Sequence, residues 1–267
     1  MRRSVPAAWG MAALSAGLAV AAIPQPRLEA EHVWSTLGDG ARVDWTSLSV
    51  EVQRTANDPH AVTDSKPSEQ RAIDDVDGAF PDAVNPLPVT PTRTLADVRG
   101  RPLEAGQTGW EIARSAYAAR GPVTVTGRAP VLPLVSGWLR EQAHPAPPRT
   151  PARPGDGAAV TGVVLDARGT RARPVVVPQV VGPAGEVVYD AFLWQDLAYS
   201  RAPVVWVPSA ATREAQAAGP NPLFLRATGG GLGTVDVDAA GAAALRALGD
   251  GPVLGDGAFV IVVDREP

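Results

Sequence analysis

Hydrophobic and polar residues alternate along Arg42 to Thr55 (RVDWTSLSVEVQRT), with Val43 and Trp45 on one phase and Leu48, Val50 and Val52 on the other. The phase slips once, near Thr46-Ser47, so the run predicts one half-buried strand interrupted by a bulge. In EQRAIDDVDGAF, behind Ser65 and Ser68, the residues Ala72, Ile73, Val76 and Phe80 recur three to four apart. That spacing predicts a short amphipathic helix. Thr108 to Ala119 places Trp110, Ala113 and Tyr117 on one stripe before Gly121-Pro122, and predicts a second helix. Val123 to Gly127 returns to strand periodicity, and Leu132 to Gln142 predicts a last short helix carrying Trp138.

Beyond residue 157 the strand signals dominate. Ala159–Asp166, Pro174–Val181 and Glu186–Tyr189 are Val-rich, and Gly182-Pro183-Ala184-Gly185 between the last two predicts a hairpin. Val204–Val207 is another apolar run, after which Ser209 is placed to cap a helix through Ala218, closed by Gly219-Pro220. Pro222–Thr228 and Leu232–Val237 flank Gly229-Gly230-Gly231 and predict a second hairpin. Asp238 is placed to cap AAGAAALRALG, and Ala258–Asp264 (AFVIVVD) predicts a strand in the middle of a sheet. Strands outnumber helices and hairpins dominate the connections. The predicted fold is therefore α+β, a mostly antiparallel sheet with helices on one face.

One segment interrupts this pattern. Residues 144–154 (HPAPPRTPARP) hold five prolines and lack apolar periodicity, which predicts an extended linker rather than a helix or a central strand. The expected organisation is an N-terminal α+β lobe over 30–143, a Pro-rich linker over 144–157 and a C-terminal α+β lobe over 158–267. A leader precedes them. Arg2 and Arg3 stand before thirteen apolar or small residues, Met11 to Ile23, and Ala19-Val20-Ala21 offers a small-x-small cleavage site. Such a run is shorter than the ~20 residues of a spanning helix, so residues 1–22 read as a signal peptide. An uncleaved leader acting as an anchor is the alternative. The implied address is the periplasm or the cell exterior.

Composition narrows the chemistry. Among 267 residues there is no cysteine, which excludes disulfides, thiol catalysis, Cys-based metal sites and lipidation at a leader cysteine. Loss of Arg2 and Arg3 from 24 basic residues leaves 22 against 28 acidic ones, a net charge of about −6. An acidic chain is a poor ligand for nucleic acid, so no nucleic-acid partner is expected.

Each candidate constellation fails a spacing test. His32, His60 and His144 are the only histidines, and no H-E-x-x-H or H-x-H spacing links them. Neither is there a G-x-S-x-G elbow. Asp74-Asp75-Val76-Asp77-Gly78 imitates a calcium loop, but with Gly78 in register Ile73 and Val84 stand where acids are required. Gly229-Gly230-Gly231-Leu232-Gly233 is followed by Thr234-Val235-Asp236-Val237 rather than by a helix, as a phosphate loop would need. Asp236 and Asp238 share one strand face, yet Asp238 already has a capping task. Trp45, Trp110, Trp138, Trp194 and Trp206 are candidate sugar platforms, with Trp45 and Trp110 also on predicted core faces. Trp194 and Tyr199, in AFLWQDLAYSRAP, mark a candidate contact loop, and Asp166 to Arg173, with three arginines, a candidate anion dock. The reading assigns no catalytic, cofactor-binding or metal-ligating residue.

The C-terminal half carries a resemblance. Thr161-Gly162-Val163-Val164-Leu165-Asp166-Ala167-Arg168-Gly169, then Pro174 to Pro178 and Gly185-Glu186-Val187-Val188-Tyr189, resembles the pattern of FlgP-like bacterial envelope lipoproteins and their exported relatives. Asn221 to Ala227, the Val-Asp-Val-Asp strand with its capped Ala-rich helix, and the terminal FVIVVD strand are similar too, so the likeness covers about 160–264. It implies an exported α+β module without known catalytic residues, acting in envelope or flagellum-associated assembly, often by self-association. This chain departs from the family in lacking the lipidated cysteine. Asp166 and Arg168 suggest a local ion pair.

The expectation is then an exported, non-enzymatic cell-envelope protein with a structural, assembly or binding role, without cofactor or metal, and without a spanning segment in the mature chain. Its partner is an envelope protein or a second copy. An exported carbohydrate- or peptidoglycan-directed enzyme or binding module is the alternative. An enzyme of that kind needs two acids converging in a concave pocket, whereas an assembly module needs an apolar patch or an open strand edge.

Overall fold

The computed structural model describes residues 31–38, 40–57, 65–118, 122–142, 160–190, 202–249 and 258–265. The leader, the Pro-rich segment, His60, His144, Trp194 and Tyr199 lie outside the described residues.

A five-stranded antiparallel sheet is built from β1 (Trp34–Gly38), β2 (Ala41–Asp44), β3 (Ser49–Ala56), β4 (Glu111–Tyr117) and β5 (Val123–Pro130), in the order β1-β2-β3-β5-β4. Period-two alternation gives it two unlike faces. Val43, Val50, Val52, Val123 and Val125 point inward and are fully buried, whereas Arg42, Gln53, Thr124, Thr126 and Arg128 stand on the other face. Helix α1 (Lys66–Val84) covers the inner face with Ala72, Val76 and Phe80, the stripe that periodicity predicts. It lies so close to β5 that a Cβ on Gly127 would stand 2.7 Å from Val76 Cγ1 and 2.8 Å from a Phe80 ring carbon. Only glycine fits there. Helices α2 (Leu95–Arg99) and α3 (Leu132–Gln142) complete this half, α3 matching its predicted bounds.

Two predictions in this half are corrected. Residues 42–55 form a hairpin, β2 and β3, rather than one bulged strand. The phase slip is the turn itself: Asp44 Oδ1 accepts from the amides of Thr46 (3.0 Å) and Ser47 (3.2 Å), its Oδ2 accepts from Ser47 Oγ (2.6 Å), and Leu48 takes a left-handed φ of 51°. Short polar side chains that bond the backbone two residues on are turn formers, and burial of the Leu48 side chain compensates its strained backbone. Residues 111–117 are an edge strand rather than a helix. A bulge at Ala113 shifts the register with β5, so that Trp110 and Tyr117 both face α1, their side chains donating to Asp77 Oδ1 (2.8 Å) and Glu69 Oε1 (2.7 Å). The inserted residue puts positions seven apart on one face, which imitates two helical turns.

The second sheet comprises β6 (Gly162–Asp166), β7 (Gln179–Val181), β8 (Val187–Asp190), β9 (Val205–Val207), β10 (Pro222–Gly231), β11 (Thr234–Val237) and β12 (Phe259–Val262), in the order β8-β7-β11-β10-β6-β12-β9. The two predicted hairpins are present, β7–β8 and β10–β11. Gly229 to Gly231 continue β10, and the tight turn falls instead at Leu232-Gly233, where Gly233 has φ 69° and Val175 leaves no room for a Cβ. β12 is fully buried between β6 and β9, as a central strand. Its pairings are parallel, as are β10–β6 and β11–β7, so this sheet is mixed while the first is wholly antiparallel. The class is α+β. Asp238 caps α4 (Ala239–Leu248), accepting from Gly241 N at 2.7 Å. Ser209 starts no α-helix: its hydroxyl accepts from Ala211 N, and the segment ahead of Gly219 is a 3-10 turn, Glu214–Ala218.

One buried cluster runs from Val33 through both sheets to Val263. Polar contacts cross it. Val177 N donates to Val89 O (2.8 Å), and Thr46 Oγ1 accepts from Val33 N (2.9 Å) while donating to Trp206 O (2.7 Å). Trp206 is 1% exposed and donates its indole N–H to Val175 O. Thr46→Val keeps the side-chain volume but orphans a buried N–H and a buried C=O. We expect it to lower unfolding free energy by about 2 kcal/mol in urea denaturation; an unchanged midpoint would show that the contact between the sheets carries no stability.

Candidate functional site

The outward face of the first sheet is concave. A depression of about 750 Å³ is lined by the outward side chains of all five strands together with His32. Strand register sets what meets there: Thr36, Arg42, Glu51 and Arg128 stand opposite one another on β1, β2, β3 and β5, with Glu111 of β4 next in the row but outside the lining. Glu51 sits between two arginines. Arg42 donates from Nε (3.1 Å) and places Nη2 at 3.0 Å from Glu51 Oε2, while Arg128 donates from Nε (3.0 Å) and Nη2 (2.5 Å) to Oε1. Each carboxylate oxygen thus receives one edge of one guanidinium. Glu51 is only 7% exposed, whereas the two arginine side chains keep 43% and 40% of their surface in solvent. The pairing neutralises a carboxylate that burial would otherwise disfavour, and it fixes two guanidiniums on the open face.

A second carboxylate lies at the rim. Asp44 is wholly buried; besides the turn amides and Ser47 it pairs with His32 Nδ1 at 2.6 Å. His32 stacks loosely on Trp34, with 6.4 Å between ring centroids, and the Arg42 guanidinium lies 4.1 Å above the Trp34 ring. An aromatic ring with a cation on its face is not a bare platform for sugar C–H groups. Trp34 Nε1 is sheltered from solvent and has no hydrogen-bond partner among the described residues. Arg114, exposed on β4 and also lining the depression, forms no ion pair among the described residues.

Among the described residues singled out by sequence, only His32 lies at this site. Asp74 accepts from Gln70 Nε2 on the surface of α1, and Asp77 from the Trp110 indole. No group of three metal-ligating side chains converges among the described residues. Trp45 and Trp206 are core, while Trp110 and Trp138 are half-buried against it. Asp166 and Arg168 do pair, at 2.6 Å, at the end of β6. Sequence reasoning missed Trp34, Arg42, Asp44, Glu51, Arg114 and Arg128. The one signal that exposes them is that acids and arginines occupy the polar phase of strands whose apolar phase is core.

A family profile described as Treponema pallidum Tp0624, second domain, matches residues 162–247. This stretch runs from β6 to α4, is less than half of the chain, and contains none of the residues that line the depression. No curated protein matches the chain. No helix among the described residues is long and apolar enough to cross a membrane.

Two expectations follow from these charges. Glu51→Ala leaves two guanidiniums facing each other across β3 with no counter-ion. We expect a loss of about 2 kcal/mol in equilibrium unfolding, below the ~3–5 kcal/mol of a fully buried pair because both arginines remain solvated; a loss near zero would mean that Glu51 is a dispensable neighbour. The second concerns acid. Hydrogen bonding from the Arg168 side chain holds the Asp166 carboxyl below the ordinary carboxylate value. Its stabilising contribution is therefore fully present above the unfolded value of about 3.9, and is lost as pH falls through the lower folded value. Asp166→Asn should flatten the fall in thermal midpoint below about pH 4 relative to the native chain; parallel curves would refute the linkage.

Proposed function

We propose that the protein is an exported, non-enzymatic component of the cell envelope, and that the concave face of its first sheet is a binding surface. The observation that carries the reading is the state of the two acids in the depression. Asp44 and Glu51 do converge on one concavity, as an enzyme would require, but each is buried and already saturated: Asp44 by two amides, a hydroxyl and an imidazole, Glu51 by two guanidiniums. A general acid must give up a proton and a nucleophile needs an unshared lone pair, and neither group offers them. The concavity therefore favours holding a ligand over cleaving one. The leader-like first residues and the resemblance of the C-terminal half to FlgP-like envelope proteins support the address.

The test is co-sedimentation of the purified chain with isolated cell-envelope material, combined with assay of the supernatant for released sugars or peptides. We expect saturable retention without release. Release that depends on Asp44 or Glu51 would establish the carbohydrate- or peptidoglycan-directed enzyme instead. Recovery of the full-length chain from the cytosol of the producing cell, with no retention on envelope material, would overturn the proposed address.

A further inference from the structure

We propose that the depression on the first sheet is a site for a carboxylate-bearing saccharide, whose carboxylate is received by Arg42, Arg114 and Arg128. The inference rests on the binding reading above and names its ligand class. It comes from matching donors against acceptors. The acceptors of strongest charge in the depression, Asp44 and Glu51, are buried and occupied. What faces the solvent is mostly donor, the exposed parts of three guanidiniums on β2, β4 and β5, and behind them the buried indole N–H of Trp34 has no acceptor among the described residues. A surface with surplus donors is complemented by an acceptor-rich ligand.

Charge sets which oxyanion fits. Among the described residues that line it, three arginines stand against Glu51 and Asp44, an excess of about one positive charge, in a chain whose formal net charge is −4. A monoanionic carboxylate balances that excess, whereas a dianionic phosphate overshoots it. The rest of the lining describes the remainder of the ligand. Thr36, Gln53, Thr124 and Thr126 offer hydroxyl and amide groups, and apart from the Trp34 ring the apolar lining consists of small side chains such as Ala41 and Ala116. Along β3 and β5 the described lining offers a polyol hydrogen-bonding partners. The volume, about 750 Å³, lies in the range that accommodates one small ligand of a few sugar rings at most. Arg42 is held in place before any ligand arrives, by Glu51 from the side and by Trp34 beneath, so little side-chain entropy is lost on binding.

The experiment is an NMR titration of the 15N-labelled chain with glucuronate, with glucose, inorganic phosphate and a glutamate dipeptide as comparison probes. The Trp34 indole resonance is assigned by its loss in Trp34→Phe. We expect glucuronate to shift that resonance saturably, glucose to leave it in place, and phosphate and the dipeptide to bind more weakly. Arg114→Gln removes an exposed side chain without touching the Glu51 cluster, so it should preserve the spectrum of the fold while weakening glucuronate at least tenfold. Arg226→Gln on the second sheet should change nothing. No saturable glucuronate shift, equal binding of glucose, tighter binding of phosphate or of the dipeptide, or an unaltered affinity in Arg114→Gln would each overturn the proposal. Glucuronate binding without retention on envelope material would leave this site standing and refute the broader reading. Retention on envelope material without glucuronate binding would do the reverse.

Discussion

The turn between β2 and β3 is the constraint on which the rest of the structure depends. A buried carboxylate, Asp44, closes it by accepting from two backbone amides and a hydroxyl, and three features follow from that one side chain. The turn sets the register that puts Glu51 opposite Arg42. It presents Thr46 to the carbonyl of Trp206, fastening the first sheet to the second through the common core. Its outer oxygen holds His32 against the edge of the concavity. Folding, the joint between the sheets and the candidate site are thus linked through a group that would be costly to bury unpaired.

The same economy shapes the open face. Charged residues on an exposed sheet surface usually contribute little, because water solvates them as well as their partners do. Here a buried acid draws two long side chains into a fixed geometry while leaving their outer portions wet, and a neighbouring tryptophan supports one of them. The result is a rigid array of donors on a scaffold of strands rather than on loops. Edge strand β4 completes the array with Arg114, and its bulge has a second consequence: an irregular edge is a poor template for pairing with another strand. The candidate site of this half is the concavity rather than that edge.

The two halves of the chain tell different stories. The segment that matches the Tp0624 second-domain profile builds most of the mixed sheet, while every residue that lines the concavity lies before it. Similarity in the second half therefore bears on architecture and says nothing about the site, because function resides in particular side chains grafted on a fold. Within the matched segment the conspicuous polar residues have structural work: Asp238 caps α4, and Asp166 closes a local ion pair with Arg168.

Sequence alone determined those parts of the protein that local chemistry settles. The amphipathic stripe of α1, helix α3, the Asp238 cap, the β7–β8 hairpin and the buried run of β12 depend on neighbours a few residues away, and periodicity reveals them. Tertiary structure decided the rest. A bulge at Ala113 turned a helical spacing into a strand, Asp44 turned a strand into a hairpin, and long connections brought β6, β9, β10 and β12 into parallel order. The site was invisible for the same reason: Arg42, Glu51, Arg114 and Arg128 lie on four different strands, and only sheet register, which depends on contacts distant in the chain, places one guanidinium at each oxygen of a buried acid and a third beside them.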